Sequence, residues 1–380
     1  MLSNGNYING GIMKSKWNFA AVTASAALML FGTLAIPAGA SGKVSLATYA
    51  AQLKAGEAAA KWAGPTTPAK APKHMKIVIV TCDETLQGCK NLTQGTVDAA
   101  KALGWTSSVV DVTNSSQYSA AVQTAVSEGV NGIVAVGVDS ALMSGGLAAA
   151  HAAKIPVVSL FQYNVPSATG VAAEVSPNAT TEGKLLADSM IVNTKGKVNV
   201  LVMNDSEYSL PIHVLTALKA QLNACRAAKV CSVTYAPPIN FLTAGIGTTL
   251  FGQVTSELQT HPAINSIAVG FDAFLGYLIS AIDTAKLGGH VKMYSQLGSL
   301  TALAAIAKND VMATDIGASN EWGGWGAIDE LIRLLDKKPV VNENVPAVAL
   351  VKRNLPPAGQ PYVGMNAGFK AHYKTLWGVK

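Results

Sequence analysis

Two nearby cysteines, Cys82 and Cys89, lie in "TCDETLQGCK" directly after the apolar run "KIVIV", with Asp83 and Glu84 beside the first. These residue types support two chemistries: a disulfide closing a short loop, or a metal held by thiolates and carboxylates. A second pair, Cys225 and Cys231 in "CRAAKVC", is equally local. Catalytic signatures are missing elsewhere. His74, His151, His213, His261, His290 and His372 are scattered and lack the spacing of a zinc-protease helix. There is no Gly-x-Ser-x-Gly elbow and no phosphate loop ending in Gly-Lys-Ser/Thr. "GIGTTLFG" begins like a dinucleotide fingerprint, but Leu250 stands at its sixth position and no clean strand precedes it, so it reads as a glycine-rich helix entry. A hydrolase would need a nucleophile, a base and a third group converging, and the chain nominates none; no catalytic residue, cofactor or metal is expected.

Compartment decides the cysteine chemistry. "MKSKWNFAAVTASAALMLFGTLAIPAGA" has two lysines, an apolar stretch and then Ala38-Gly39-Ala40, the pattern of a secretory signal cleaved near Ala40, with Met13 as its start. The alternative, a membrane anchor, wants about 20 apolar residues and no small-residue exit. No cysteine follows the cleavage site, so no lipid attachment is expected. Export to the periplasm, an oxidising compartment, makes both pairs disulfide candidates, each stabilising by roughly 2–3 kcal/mol in the chain-entropy model.

Charge points the same way. Of 28 basic and 22 acidic residues, seven basic and one acidic precede Lys76, leaving 21 of each in the body. A nucleic-acid binder concentrates cation on its folded surface, so that class is excluded. Residues 41–74, rich in Ala, Lys and Pro, predict a short helix and a Pro-stiffened tether. The remaining chain of about 300 residues exceeds what one core usually holds, so two lobes are expected.

The elements that must position these residues follow from periodicity. "KIVIV", "SSVVDV", "GIVAV", "IPVVSL", "VNVLVM", "NSIAVG", "VKMYS" and "VMATDIG" each suit a strand buried on both faces. Between them, Tyr118, Ala121, Val122, Ala125 and Val126 fall on one helical face, as do Leu92, Thr96, Ala99 and Leu103 before the natural stop at Gly104. Eight strands would close a barrel, but the pattern loosens around "SPNATTEG" and "YAPPINFLTAGIG". The expected fold class is therefore α/β, two doubly wound parallel-sheet lobes, with ligands beyond the carboxyl ends of the strands.

In order and pattern the chain resembles the type I periplasmic binding proteins, the ribose-binding and related sugar receptors of ABC importers. The likeness runs from about Met75 onward through "QGTVDAAKALGW", "AVQTAVSEGVNGIVAVGVDS", "AAAHAAKIPVVSL" and "TSELQTHPAINSIAVGFDAFLGYLISAI". It implies two lobes joined by three crossovers and closing by a hinge, one holding 75–176 and 318–346, the other 177–317 and 347–380. It also locates a pocket. Where the family places an aromatic pair in the first loop, this chain has Gly88 and Cys89; where it places Asp-Arg after the fourth strand, Phe161 and Gln162; where it places Asn before Asp, Phe271 before Asp272. Family Asp and Gln positions fall near Leu297 and Gly317, and Phe241 sits about where a family aromatic stacks.

Lost hydroxyl grips disfavour a sugar, because each unpaired buried hydroxyl costs on the order of 1–3 kcal/mol. The resemblance thus implies apolar surface from Phe161, Tyr163, Phe241, Phe271 and Trp322, with Asp83, Gln87, Gln162, Asp272, Gln296 and Asn320 as orienting groups. Trp322 and Trp325 can also be core packing. The expected ligand is a small polyol derivative, cyclic ether or aromatic compound, with a true sugar as the alternative. A Cys82–Cys89 bridge would hold the first loop in one shape. The implied role is a monomeric solute receptor for an inner-membrane ABC permease, against a sensor for a histidine kinase or chemoreceptor.

Overall fold

The computed structural model describes residues 43–360, 362, 364 and 368–379; the expected export leader lies outside the described residues. After helix α1 (Leu46–Gly56), strand and helix alternate: β1 (Lys76–Cys82), α2 (Gln87–Ala102), β2 (Thr106–Val112), α3 (Tyr118–Ser127), β3 (Gly132–Val136), α4 (Ser144–Ala152), β4 (Val157–Leu160) and β5 (Ala173–Val175). These five strands form one parallel sheet in the order β2-β1-β3-β4-β5. The order reverses at β1, so neighbouring loops splay apart beyond the carboxyl ends and leave a crevice.

The second half repeats the scheme with α5 (Ala179–Asn193), β6 (Lys197–Asp205), α6 (Ser209–Ala227), β7 (Ser232–Tyr235), β8 (Ile239–Phe241), α7 (Leu250–Thr260), β9 (Ser266–Val269), α8 (Leu275–Thr284), β10 (Lys292–Gln296), α9 (Leu300–Lys308) and β11 (Met312–Ala318). Then come α10 (Asn320–Leu335), β12 (Ala347–Leu350) and α11 (Phe369–Trp377). The second sheet runs β12-β11-β10-β9-β6-β7, with β8 pairing the far end of β6 and only β12 antiparallel. Two separate sheets replace the barrel alternative. From β1 onward the chain passes between lobes after β5, after β11, after α10 and again after β12. Helix α5 opens on an Asn178 cap and packs on the second sheet, whereas α10 opens on a Ser319 cap and packs on α2 and β4 of the first.

All eight apolar runs are strands, and "GIVAV" is buried throughout. The run "SSVVDV" departs from expectation: β2 is an edge strand, pairing β1 alone, with most of its residues exposed. "GIGTTLFG" leads into α7 as read.

Two segments differ from the expected arrangement. Residues 57–73 are not a free tether but a strap packed along the body. Trp62 stacks on Trp322 at 5.0 Å and on His372 at 4.6 Å, Arg333 Nη2 donates to the Thr67 carbonyl at 2.9 Å, and Trp105 Nε1 donates to the Pro72 carbonyl at 2.8 Å. Proline spacing keeps this stretch extended, which suits lying on a surface as well as spanning solvent. The C-terminal helix α11, expected with the second lobe, instead covers α10: Trp377 stacks on Trp325 at 5.2 Å and its Nε1 donates to Asp329 at 2.7 Å. Helix α10 is buried from Trp322 to Arg333, the charged Asp329, Glu330 and Arg333 included, so it has partners on both faces, one supplied by the first sheet and the other by α11 and the strap.

Candidate functional site

The strand ends of both sheets face one another across a small, half-open cavity of about 60 Å³. Its first wall comes from the β1–α2 loop. The Cys82–Cys89 disulfide joins the end of β1 to the first turn of α2, and both cysteines line the cavity with Leu86, Gly88 and Leu92. Gly137, just past β3, has φ of +62°, and a Cβ there would lie 2.6 Å from Cys82 Sγ. Only glycine fits, because both the left-handed backbone and the sulfur's space exclude a side chain. Phe161, after β4, completes this wall.

The second wall comes from three other strand ends. Tyr208, Leu210 and Pro211 follow β6; Phe271, Asp272 and Ala273 follow β9; Gln296 and Leu297 close β10. Phe271 meets Tyr208 edge-on at 5.6 Å and Phe274 at 5.1 Å, so its ring is held by aromatic packing behind it.

Three side-chain-bearing residues near the cavity have left-handed backbones: Phe161 (φ 58°), Tyr163 (φ 65°) and Leu297 (φ 100°). Such strain costs on the order of 1–3 kcal/mol per residue and persists where surroundings over-determine it. Here Glu174 supplies the restraint, its carboxylate accepting the N–H groups of Gln162 (3.2 Å), Tyr163 (2.9 Å) and Asn164 (3.1 Å). The turn after Leu297 is fixed by Gly298 N–H donating to Asp315 at 2.7 Å.

Of the residues read from the sequence, Phe161, Phe271, Asp272 and Gln296 line the cavity, together with Cys82 and Cys89. Gln87, Gln162 and Tyr163 instead join the lobes beside it. Gln87 Oε1 accepts Leu300 N–H at 3.1 Å, Gln162 Nε2 donates to the Glu207 carbonyl at 3.4 Å, and the Tyr163 ring lies 4.4 Å from that of His213. Ser209 Oγ, donating to Asp139 at 2.6 Å, adds another such link. Asp83 accepts Thr85 N–H at 2.8 Å and shapes the first loop without lining the cavity.

Three further expectations need correction. Phe241 lies in the second-lobe core, 5.2 Å from Phe274, because β8 runs beside β6 rather than looping into the cleft. Asn320 is buried at the start of α10 and does not line the cavity. Trp322 is fully buried between Trp62 and Phe369, its Nε1 donating to the Glu343 carbonyl at 3.1 Å, so its partner is the strap. Sequence reading missed Tyr208, Leu210 and Pro211, although "EYSLPIH" follows "VNVLVM" at a strand end where ligands are expected.

Electrostatically the cavity is simple. Burial pushes the Asp272 carboxyl up to about 6, opposed by the Ser299 N–H it accepts at 2.7 Å. Burial likewise lifts the Tyr208 hydroxyl to about 12. Gln296 Nε2 donates to the Gly270 carbonyl at 2.7 Å, while its Oε1 is buried without a partner. No Lys, Arg or His lines the cavity. Cys225 and Cys231 form a second disulfide, at the turn from α6 to β7, so all four cysteines are consumed in bridges. Among the described residues no group of His, Cys, Asp and Glu is arranged to hold a metal ion.

Comparison with known proteins gives a family and a fold. The family model described as "Periplasmic binding protein domain" matches residues 77–339. A search of curated proteins found no match. Among solved structures, an ABC sugar transporter subunit from Rhodobacter sphaeroides is 19% identical, with TM-score 0.65, covering 73% of this chain and 99% of that one. An ABC transporter solute binding protein from Agrobacterium vitis with bound allitol is 22% identical, with TM-score 0.64 and coverage of 74% and 96%. One from Actinobacillus succinogenes with bound D-allose is 17% identical, with TM-score 0.64 and coverage of 73% and 98%.

Proposed function

The chain belongs to the periplasmic binding protein domain family, and from that premise we propose that it is an exported, monomeric receptor delivering a small, hydroxyl-poor solute to an ABC permease of the inner membrane. The reading fits a site with no nucleophile and base in it: capture requires only that two lobes close on a guest. Residues 75–176 and 318–346 with α11 make one lobe and 177–317 with β12 the other, and closure is a hinge motion at the crossovers between them.

The observation that carries the ligand class is the cavity wall. Apolar side chains and a disulfide occupy most of it, with Asp272 and Gln296 as its polar side chains apart from the Tyr208 hydroxyl. A hexose brings several hydroxyls, each needing a partner once desolvated, and these groups are too few. Polyol derivatives, cyclic ethers and aromatic compounds bring fewer. The disulfide preorganises the first loop, so less entropy is lost on closure.

A thermal-shift screen over sugars, polyols and aromatic compounds tests this, since a ligand selective for the native state raises the melting temperature by mass action. A rise with a hydroxyl-poor compound, the compound being recovered unchanged, is expected. Conversion to product, or a response confined to hexoses, would overturn the reading.

A further inference from the structure

Asp272 and Gln296 both present acceptors in the cavity wall, and this deepens the ligand reading just given, on which it rests. Gln296 donates one amide hydrogen to the Gly270 carbonyl, while its Oε1 is a buried acceptor without a partner. Asp272, also in the wall, offers carboxylate oxygens, one already accepting Ser299 N–H. Both side chains ask for a hydrogen-bond donor. A buried acceptor left unmet costs on the order of 1–3 kcal/mol, which a donor on the guest recovers.

Four ligand chemistries can be compared against that wall. A carboxylate would face Asp272 with no cation in the lining to offset it. An ether or ketone brings acceptors only. An ammonium brings donors only, yet Gly88 and Cys89 in the first turn of α2 also line the cavity, and first-turn N–H groups have no intrahelical acceptor. A hydroxyl meets both demands, since it donates once and accepts twice. Free volume of about 60 Å³ is a few times the ~10–15 Å³ needed by one water, which keeps the guest small.

We propose that the cavity selects a small apolar alcohol or phenol, its hydroxyl donating to Gln296 Oε1 with Asp272 beside it and its hydrocarbon body between Phe161 and Phe271, and that Gln296 sets this preference. Calorimetric titration of the whole protein with matched alcohol, methyl ether, carboxylate and amine, on both a benzyl and a butyl body, tests it. The alcohol of at least one body should bind roughly tenfold or more tighter than its ether, acid and amine, and Gln296→Met should weaken the alcohol by a similar factor while leaving the ether within about twofold. The wild-type series stands even if that variant folds poorly. An ether, acid or amine binding as well as its alcohol, or an unchanged alcohol affinity in folded Gln296→Met, overturns this inference alone; a hexose binding tighter than the whole series overturns the ligand reading with it.

Discussion

The two lobes meet in two different ways. Beside the cavity they touch through isolated polar contacts, such as Gln87 with Leu300 and Ser209 with Asp139, and a single ring pair, Tyr163 with His213. Away from it, the N-terminal segment lies on both. Helix α1 packs on α5 and β12 of the second lobe, and Glu57 pairs with Arg353 there. A few residues later Trp62 stacks on Trp322, and the Ala69 N–H donates to the Leu376 carbonyl at 3.2 Å, both over α10 and α11. Isolated part-buried hydrogen bonds contribute only about 0.5–1.5 kcal/mol each, whereas aromatic stacks also bury large apolar surface. The contrast assigns opening to the cavity side and cohesion to the strap side. The strap precedes residue 77, where the family match begins.

Removing the aromatic anchor should separate the two regions most sharply. Trp322→Ala is expected to lower unfolding stability by about 3–5 kcal/mol in denaturant titrations, since a fully buried Trp leaves a large void. Ligand affinity of the folded fraction should stay within about threefold, because the residue does not reach the cavity. A large affinity loss with little destabilisation would return Trp322 to the cleft.

The pH response reports on the packing of the second lobe. Glu182 is buried on α5 with neither carboxylate oxygen partnered, and desolvation lifts it to about 8. Its folded value lies above its unfolded one, so the native state holds the extra proton. Stability is full below about 4.5, falls as pH rises, and levels off above about 8. Asp188 and Asp205, each raised to about 6 by burial, add loss in the same direction over a lower window. Glu182→Gln should flatten the upper part of that decline by on the order of 3–4 kcal/mol between pH 5 and 8, measured by denaturation at each pH.

Opening the first loop is expected to act on both stability and binding. The Cys82→Ser/Cys89→Ser double variant should lose about 2–3 kcal/mol and bind more weakly, because the loop ceases to be held in its bound shape. Alkylation mass spectrometry of the non-reduced wild type should find no modifiable thiol at these positions.

The smallest effect belongs to Gly88→Ala. Its Cβ would stand 3.1 Å from Leu297 Cδ1 across the cleft, close enough to press on the opposite wall when the lobes meet. Affinity should fall by roughly threefold with stability nearly unchanged, as a slight overpacking that exists only in the closed state.

Sequence legibility followed burial. Apart from the edge strand β2, the strands read from continuous apolar runs were those inside sheets, such as β1 and β3, where both faces are covered. Strands β5, β7, β8 and β12 have three or four residues each and no periodicity to detect. At the site, Phe161 and Phe271 came from the family resemblance, which could be carried onto them because they follow the clear strands β4 and β9. Trp322 misled because an aromatic at a helix start looks alike from either side, and its true partner, Trp62, lies 260 positions earlier in a segment read as solvent-borne. Asp272 and Gln296 were legible as polar groups of the cavity, but which atom of Gln296 lacks a partner was not: that depends on Gly270 accepting from its amide, a contact between two strand ends.

A crystal structure with the tightest compound from the ligand screen tests the central claim most directly. The account predicts the guest enclosed between Phe161 and Phe271, its hydroxyl within hydrogen-bond distance of Gln296 Oε1 and both lobes in contact around it. A guest seated elsewhere, or held in this cavity with no contact to the second lobe, would contradict it.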